Sequence, residues 1–213
     1  MTYSTSPAFD QFAAELQKIA PFRIHYKDES PEMSALNLVV SLFCPDFMSR
    51  FTTVIGRRVY FPSRDFVAQR PQASIRILAH EAVHLLDSQR WGFGTLALAY
   101  LFPQILALGV FLYPWLGLWA FSFLIFLAPW PAPFRFYFEA RAYALDCLTA
   151  YPEHREAAIF RVSTHFDSWD YYRMFPFPQA VQEELRHWMD RTESGQEKDL
   201  MKILLIYEMS MES

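Results

Sequence analysis

The chain has 213 residues, enough for one well-buried domain, and no internal repeat is apparent. Its formal net charge of -4, with no basic run and no Lys/Arg patch interleaved with aromatics, excludes a nucleic-acid-binding class. Two cysteines, Cys44 and Cys147, lie far apart and outside any CxxC pattern, so we expect neither a disulfide framework nor a thiolate zinc site, and read both as buried thiols.

Aromatic residues make up 18% of the chain, with 21 Phe among them, so where that apolar surface is buried becomes the organising question. The N-terminal stretch MTYSTSPAFDQFAAELQK carries acidic residues and no uninterrupted apolar core. It reads as cytosolic rather than as a cleaved secretion signal. Within it, Phe9, Phe12, Ala13, Leu16 and Ile19 recur at helical spacing until Pro21, which predicts a short amphipathic helix. FRIHYK, ALNLVVSLF and FTTVIGRRVYFPS are rich in β-branched and aromatic residues, with Gly56 placed to turn the last of them. A small antiparallel sheet is the expectation.

From Pro71 to about Arg90 the pattern becomes helical, with Ile75, Leu78, Ala79, Ala82, Leu85 and Leu86 on one stripe and His80, His84 and Asp87 on another. Between Arg90 and Arg135 there follow 44 positions without a charge. Pro114 divides this tract into Thr95–Tyr113 and Trp115–Trp130, about 28 and 24 Å as helices, a tight hairpin slightly short for a bilayer core of about 30 Å. Arg90 before it, Arg135 and Arg141 after it and an uncharged tip place both flanks on the cytosolic side, while Trp91, Trp115, Trp119 and Trp130 suit an interfacial belt. A lipid bilayer is the implied partner. The alternative is a buried hairpin inside a soluble dimer.

Beyond the tract, FRFYFEARAYALDCLTAY resumes a helical pattern with Glu139 and Asp146 seven apart on one face. HFDSWDYYRMF reads as an aromatic loop, and two amphipathic helices follow, one opened by Pro178 and the two separated by Ser194-Gly195. The fold class expected is α+β, with a small sheet, a central helix, a mainly helical C-terminal half and an inserted apolar hairpin over 91–134 in a single domain.

HEAVHLLD, residues 80 to 87, carries the chemistry. Imidazoles at i and i+4 on a helix project to the same side and can chelate one zinc ion, with the intervening carboxylate beside the metal's open position. His80, Glu81 and His84 meet that specification, and Glu139 on the second helix is available as a third ligand, with Asp146 as a rival. The chain therefore resembles zincin metallopeptidases of the glutamate-ligand (gluzincin) type, in which an HExxH helix is followed by a helix supplying Glu. More narrowly it resembles the heat-shock-type membrane zinc peptidases and CAAX prenyl proteases, where apolar segments separate HExxH from a helix reading ExxAD. Here that helix reads Glu139-Ala140-Arg141-Ala142-Tyr143, with Tyr143 where those families usually have Asp.

The resemblance covers about residues 50 to 150. It implies a zincin-like fold, His80, His84 and Glu139 as zinc ligands, Glu81 as general base, and hydrolysis of a peptide or protein substrate. Asp87 or Asp146 is expected to orient a ligand imidazole. His165, Tyr171, Tyr172 and Arg173 are candidate donors to the oxyanion, of which His165 is preferred. Thr52–Ile55 or Arg58–Phe61 is expected to offer a sheet edge to extended substrate. A second class keeps the fold, with or without the metal, for binding or assembly in the membrane without catalysis.

Overall fold

Helix α1 (Pro7–Ile19) opens on a proline, whose fixed φ suits the first helical turn, and buries Phe9, Phe12, Ala13 and Leu16. The computed structural model describes residues 6–41 and 46–212, so the expectation for Cys44 lies outside it. Strand β1 (Arg23–Tyr26) follows, and then helix α2 (Pro31–Val40), where a strand was expected. An apolar run such as ALNLVV does not distinguish strand from helix by periodicity alone. Pro31 starts the helix, and Met33 and Val40, seven apart, both pack on the small core cluster with Phe47 and Tyr60.

Strands β2 (Thr53–Ile55) and β3 (Arg58–Phe61) form the expected hairpin, with Gly56 in the left-handed region at φ +61°. The sheet is mixed rather than antiparallel: β3 is central, antiparallel to β2 and parallel to β1. The chain enters β2 at the end of the sheet where β1 finished, so β3, reversed once more by the hairpin, runs the same way as β1. Val59, Tyr60 and Phe61 on the central strand are all buried.

Helix α3 (Arg64–Gln69) is capped by Ser63, whose Oγ accepts from the Phe66 amide at 3.0 Å. Helix α4 (Pro71–Trp91) matches the predicted span, and Ile75, Leu78, Ala79, Ala82, Val83 and Leu85 are buried along it. The chain divides into two compact units, residues 1–86 with 199–213 and residues 87–198, and the division falls within α4.

In the second unit, helix α5 (Phe93–Leu101) ends before Phe102-Pro103. A 3-10 segment (Gln104–Leu112), helix α6 (Tyr113–Leu116) and a second 3-10 segment (Gly117–Leu127) complete the apolar tract. The reversal falls where Pro114 predicts it, but the first arm is not one straight helix, because Pro103 lacks the N–H that would continue α5. The two 3-10 segments pack along each other, and Ala107 on the first and Ala120 on the second are buried. A Cβ added to Gly109 would overlap the Phe123 ring. Gly109→Leu therefore costs about 1–3 kcal/mol of stability by overpacking, read as a lowered unfolding midpoint. An unchanged midpoint would mean that Phe123 swings clear.

Helices α7 (Pro133–Leu148), α8 (Arg155–Asp167) and α9 (Pro178–Glu193) complete this unit. Helix α8 includes His165–Asp167, read from the sequence as the start of a loop. The remainder of that loop is a 3-10 turn at Trp169–Tyr171 followed by Tyr172 and Arg173, both at positive φ. Phe136 stacks on Phe175 at 4.0 Å and meets Phe166 edge-on at 5.7 Å, which fixes this turn against α7 and α8. Helix α10 (Lys198–Glu212) lies largely in the first unit, where Tyr207 meets Phe12 of α1 edge-on. The protein is thus mostly helical with a small three-stranded mixed sheet, an α+β fold.

Candidate metal centre

His80 and His84 lie one turn apart on α4, both half-buried, with ring centroids 5.2 Å apart and planes at 73°. Their spacing follows from the helix itself, since i and i+4 side chains share a face. Glu139 sits in the second turn of α7 and is 2% exposed. One donor atom from each of His80, His84 and Glu139 lies within 4.8 Å of the other two. Two imidazoles and a carboxylate are a donor set that zinc accepts, with bonds of about 2.0–2.2 Å. Asp146, the rival third ligand, is not in this group. Glu81, next to His80, is half-buried.

The Glu139 carboxylate is held by phenols. Tyr100 donates to Oε1, and Tyr171 donates to Oε2 at 2.9 Å. Tyr143 donates to the Tyr171 oxygen at 3.3 Å, so the residue standing where the resembled families have Asp reaches the carboxylate through a second phenol. The Arg135 guanidinium lies 5.0 Å from the Tyr100 ring centroid and 5.1 Å from that of Tyr171. Burial, and then the Glu139 charge, hold the Tyr171 hydroxyl well above the usual range for a phenol, so it keeps its proton and remains a donor.

The four residues proposed as oxyanion donors have separate surroundings. His165, in the last turn of α8, packs its ring 4.4 Å from that of Tyr171. Tyr171 itself faces Glu139. Tyr172 donates to the Leu127 carbonyl, and Arg173 pairs with Asp167 at 3.2 Å, both exposed. Of the four, Tyr171 reaches the Glu139 carboxylate and His165 packs against Tyr171.

Asp87, three residues after His84, is 1% exposed and accepts from Nη1 of Arg141. Arg141 is 2% exposed and also donates through Nη2 to Glu197 at 2.9 Å, with its guanidinium 5.3 Å from the Trp188 ring. In the sequence Arg141 reads only as a charge flanking the apolar tract. Its hydropathy gave no sign of burial, and its two carboxylate partners are 54 and 56 positions away. Asp146 is half-buried beside Cys147, whose thiol is pushed up to about 12 by burial and then by that carboxylate. Cys147 is the buried thiol expected.

Of the two sheet segments considered for substrate, Arg58–Phe61 is the central strand and both its edges are paired. Thr53–Ile55 is a terminal strand, paired to β3 alone among the described residues. Comparison of the chain with protein-family models, with curated proteins and with solved structures finds no match.

Proposed function

We propose that this protein is a zinc-dependent, membrane-associated endopeptidase with its working part on the cytosolic side. The observation that carries the reading is the convergence of a carboxylate 55 positions downstream on the paired imidazoles of an HExxH helix. His80, His84 and Glu139 would hold the ion. Zinc, when bound, lowers the pKa of a water toward about 7 and polarises a carbonyl.

The chain's own groups do the rest. Glu81 takes the proton of the attacking water and later delivers it to the leaving amine. His165 donates to the oxyanion. The edge of β2 that is unpaired among the described residues receives the extended substrate through main-chain hydrogen bonds. Asp87 or Asp146 orients a ligand imidazole.

Residues Gln104–Leu127 form a stretch long and apolar enough to cross a membrane. Folded as a hairpin, its two 3-10 segments of 9 and 11 residues reach about 18 and 22 Å. That is short of a bilayer core of about 30 Å, so the hairpin dips into one leaflet. Trp115 and Trp119, at its tip, are 78% and 81% exposed, a surface that lipid would cover.

Elemental analysis of detergent-purified protein tests the metal: one zinc per chain in the wild type, and none in His80→Ala. Casein turnover that disappears with the metal supports the enzyme, whereas zinc without turnover supports a binding or assembly module. Extraction without detergent as a soluble small oligomer would remove the membrane from the reading.

A further inference from the structure

We infer that Tyr100 and Tyr171 are the positioning residues of the metal centre, so that the apolar tract contributes a phenol to the site as well as an anchor. The inference rests on the zinc reading. A carboxylate offers about four lone-pair positions. One phenol on each oxygen of Glu139 takes two of them and so sets the direction in which the others point.

The two phenols come from opposite sides of the sequence. Tyr100 is 39 residues before Glu139, in the penultimate position of α5, and Tyr171 is 32 residues after it, at the end of the 3-10 turn. Between them they fix both the tilt and the rotation of a carboxylate that is 2% exposed and has no water shell to orient it. Arg135, one turn before Glu139 on α7, sits over both rings and balances the buried negative charge. Tyr143 braces Tyr171 from the following turn of the same helix.

Backbone strain is spent at this place. Tyr172 and Arg173 adopt φ of +56° and +46°, a region that non-glycine residues enter rarely and pairs of them more rarely still. Their amides close the turn on the Trp169 and Ser168 carbonyls, at 2.9 and 2.8 Å, and the turn delivers Tyr171 to Glu139. Tyr100 depends instead on α5 ending where it does, at Phe102-Pro103, at the start of the apolar hairpin.

The test is zinc affinity by competition with a chromophoric chelator, on full-length protein in detergent. Tyr100→Phe and Tyr171→Phe keep their rings and each weakens zinc binding about 10- to 100-fold. Tyr151→Phe, an exposed phenol elsewhere, leaves it unchanged. In a Glu139→Gln background the same two substitutions produce no further loss, because the group they position is gone. Melting of the metal-free proteins verifies that each variant is folded, and either phenol alone suffices for the test. Wild-type affinity in both Tyr variants, or equal losses with and without Glu139, overturns the inference and leaves the metal reading standing. A wild type that binds no zinc overturns the proposed function, and this inference with it.

Discussion

Glu81→Gln lowers peptide turnover by about 10²- to 10⁴-fold, the range that a positioned proton-transfer group supplies, while zinc content stays at one per chain. Gln preserves shape and hydrogen-bonding length but cannot accept a proton from the attacking water. Glu81 stands beside His80 on α4 rather than among the three grouped donors, so its loss is expected to spare the metal. Measuring both quantities on one preparation matters, because a base and a ligand fail differently: His80→Ala loses metal and turnover together. Retained turnover in Glu81→Gln would assign proton transfer elsewhere, and lost zinc would make Glu81 a ligand.

The second large effect lies at Arg141. Arg141→Met removes the cation shared by Asp87 and Glu197, which are 1% and 7% exposed, and leaves two carboxylates in a space that water does not reach. Breaking a buried pair from one side costs about 3–5 kcal/mol, because the carboxylates stay buried without the guanidinium they share. Arg191 lies 4.0 Å from the other Glu197 oxygen and is 39% exposed, too distant and too solvated to replace the lost charge. Arg141→Lys restores the charge without the fork that serves Asp87 and Glu197 through separate nitrogens, so it recovers only part of the loss. Denaturant unfolding of the three proteins reads this directly. A loss below about 1 kcal/mol in Arg141→Met would place the network in contact with solvent.

Arg141 and Tyr143 also show how far a family pattern carries. Both lie in the short run after Glu139 that the resemblance picks out, and the run departs from ExxAD at Tyr143. Read alone, that departure removes a carboxylate from the surroundings of the ligands. In the folded chain Tyr143 reaches Glu139 through Tyr171, and a carboxylate appears instead at Asp87, tied to α7 by Arg141. The surroundings of Glu139 are therefore phenolic, and their parts are drawn from α5, α7 and the turn after α8.

The strand segments teach a related lesson. FTTVIGRRVYFPS carries its own turn at Gly56, so the β2–β3 hairpin is a local event and was legible. ALNLVVSLF is equally apolar, but Pro31 upstream and the packing of Met33 and Val40 on Tyr60 make its first part a helix. The sheet is mixed because β3, the second strand of that local hairpin, also pairs with β1 on its other side and runs the same way, a long-range choice.

By itself, then, the sequence determined what depends on neighbours within a few residues: the α4 span, the i, i+4 pairing of His80 and His84, the reversal near Pro114 and the uncharged stretch around it. Local periodicity and proline geometry are written in adjacent side chains, so they survive without a fold. Only the tertiary structure decided which carboxylate joins the imidazoles, which phenols hold it, and which arginine is buried between Asp87 and Glu197. Those choices depend on contacts between residues tens of positions apart, and their energies come from burial, which no single segment can report.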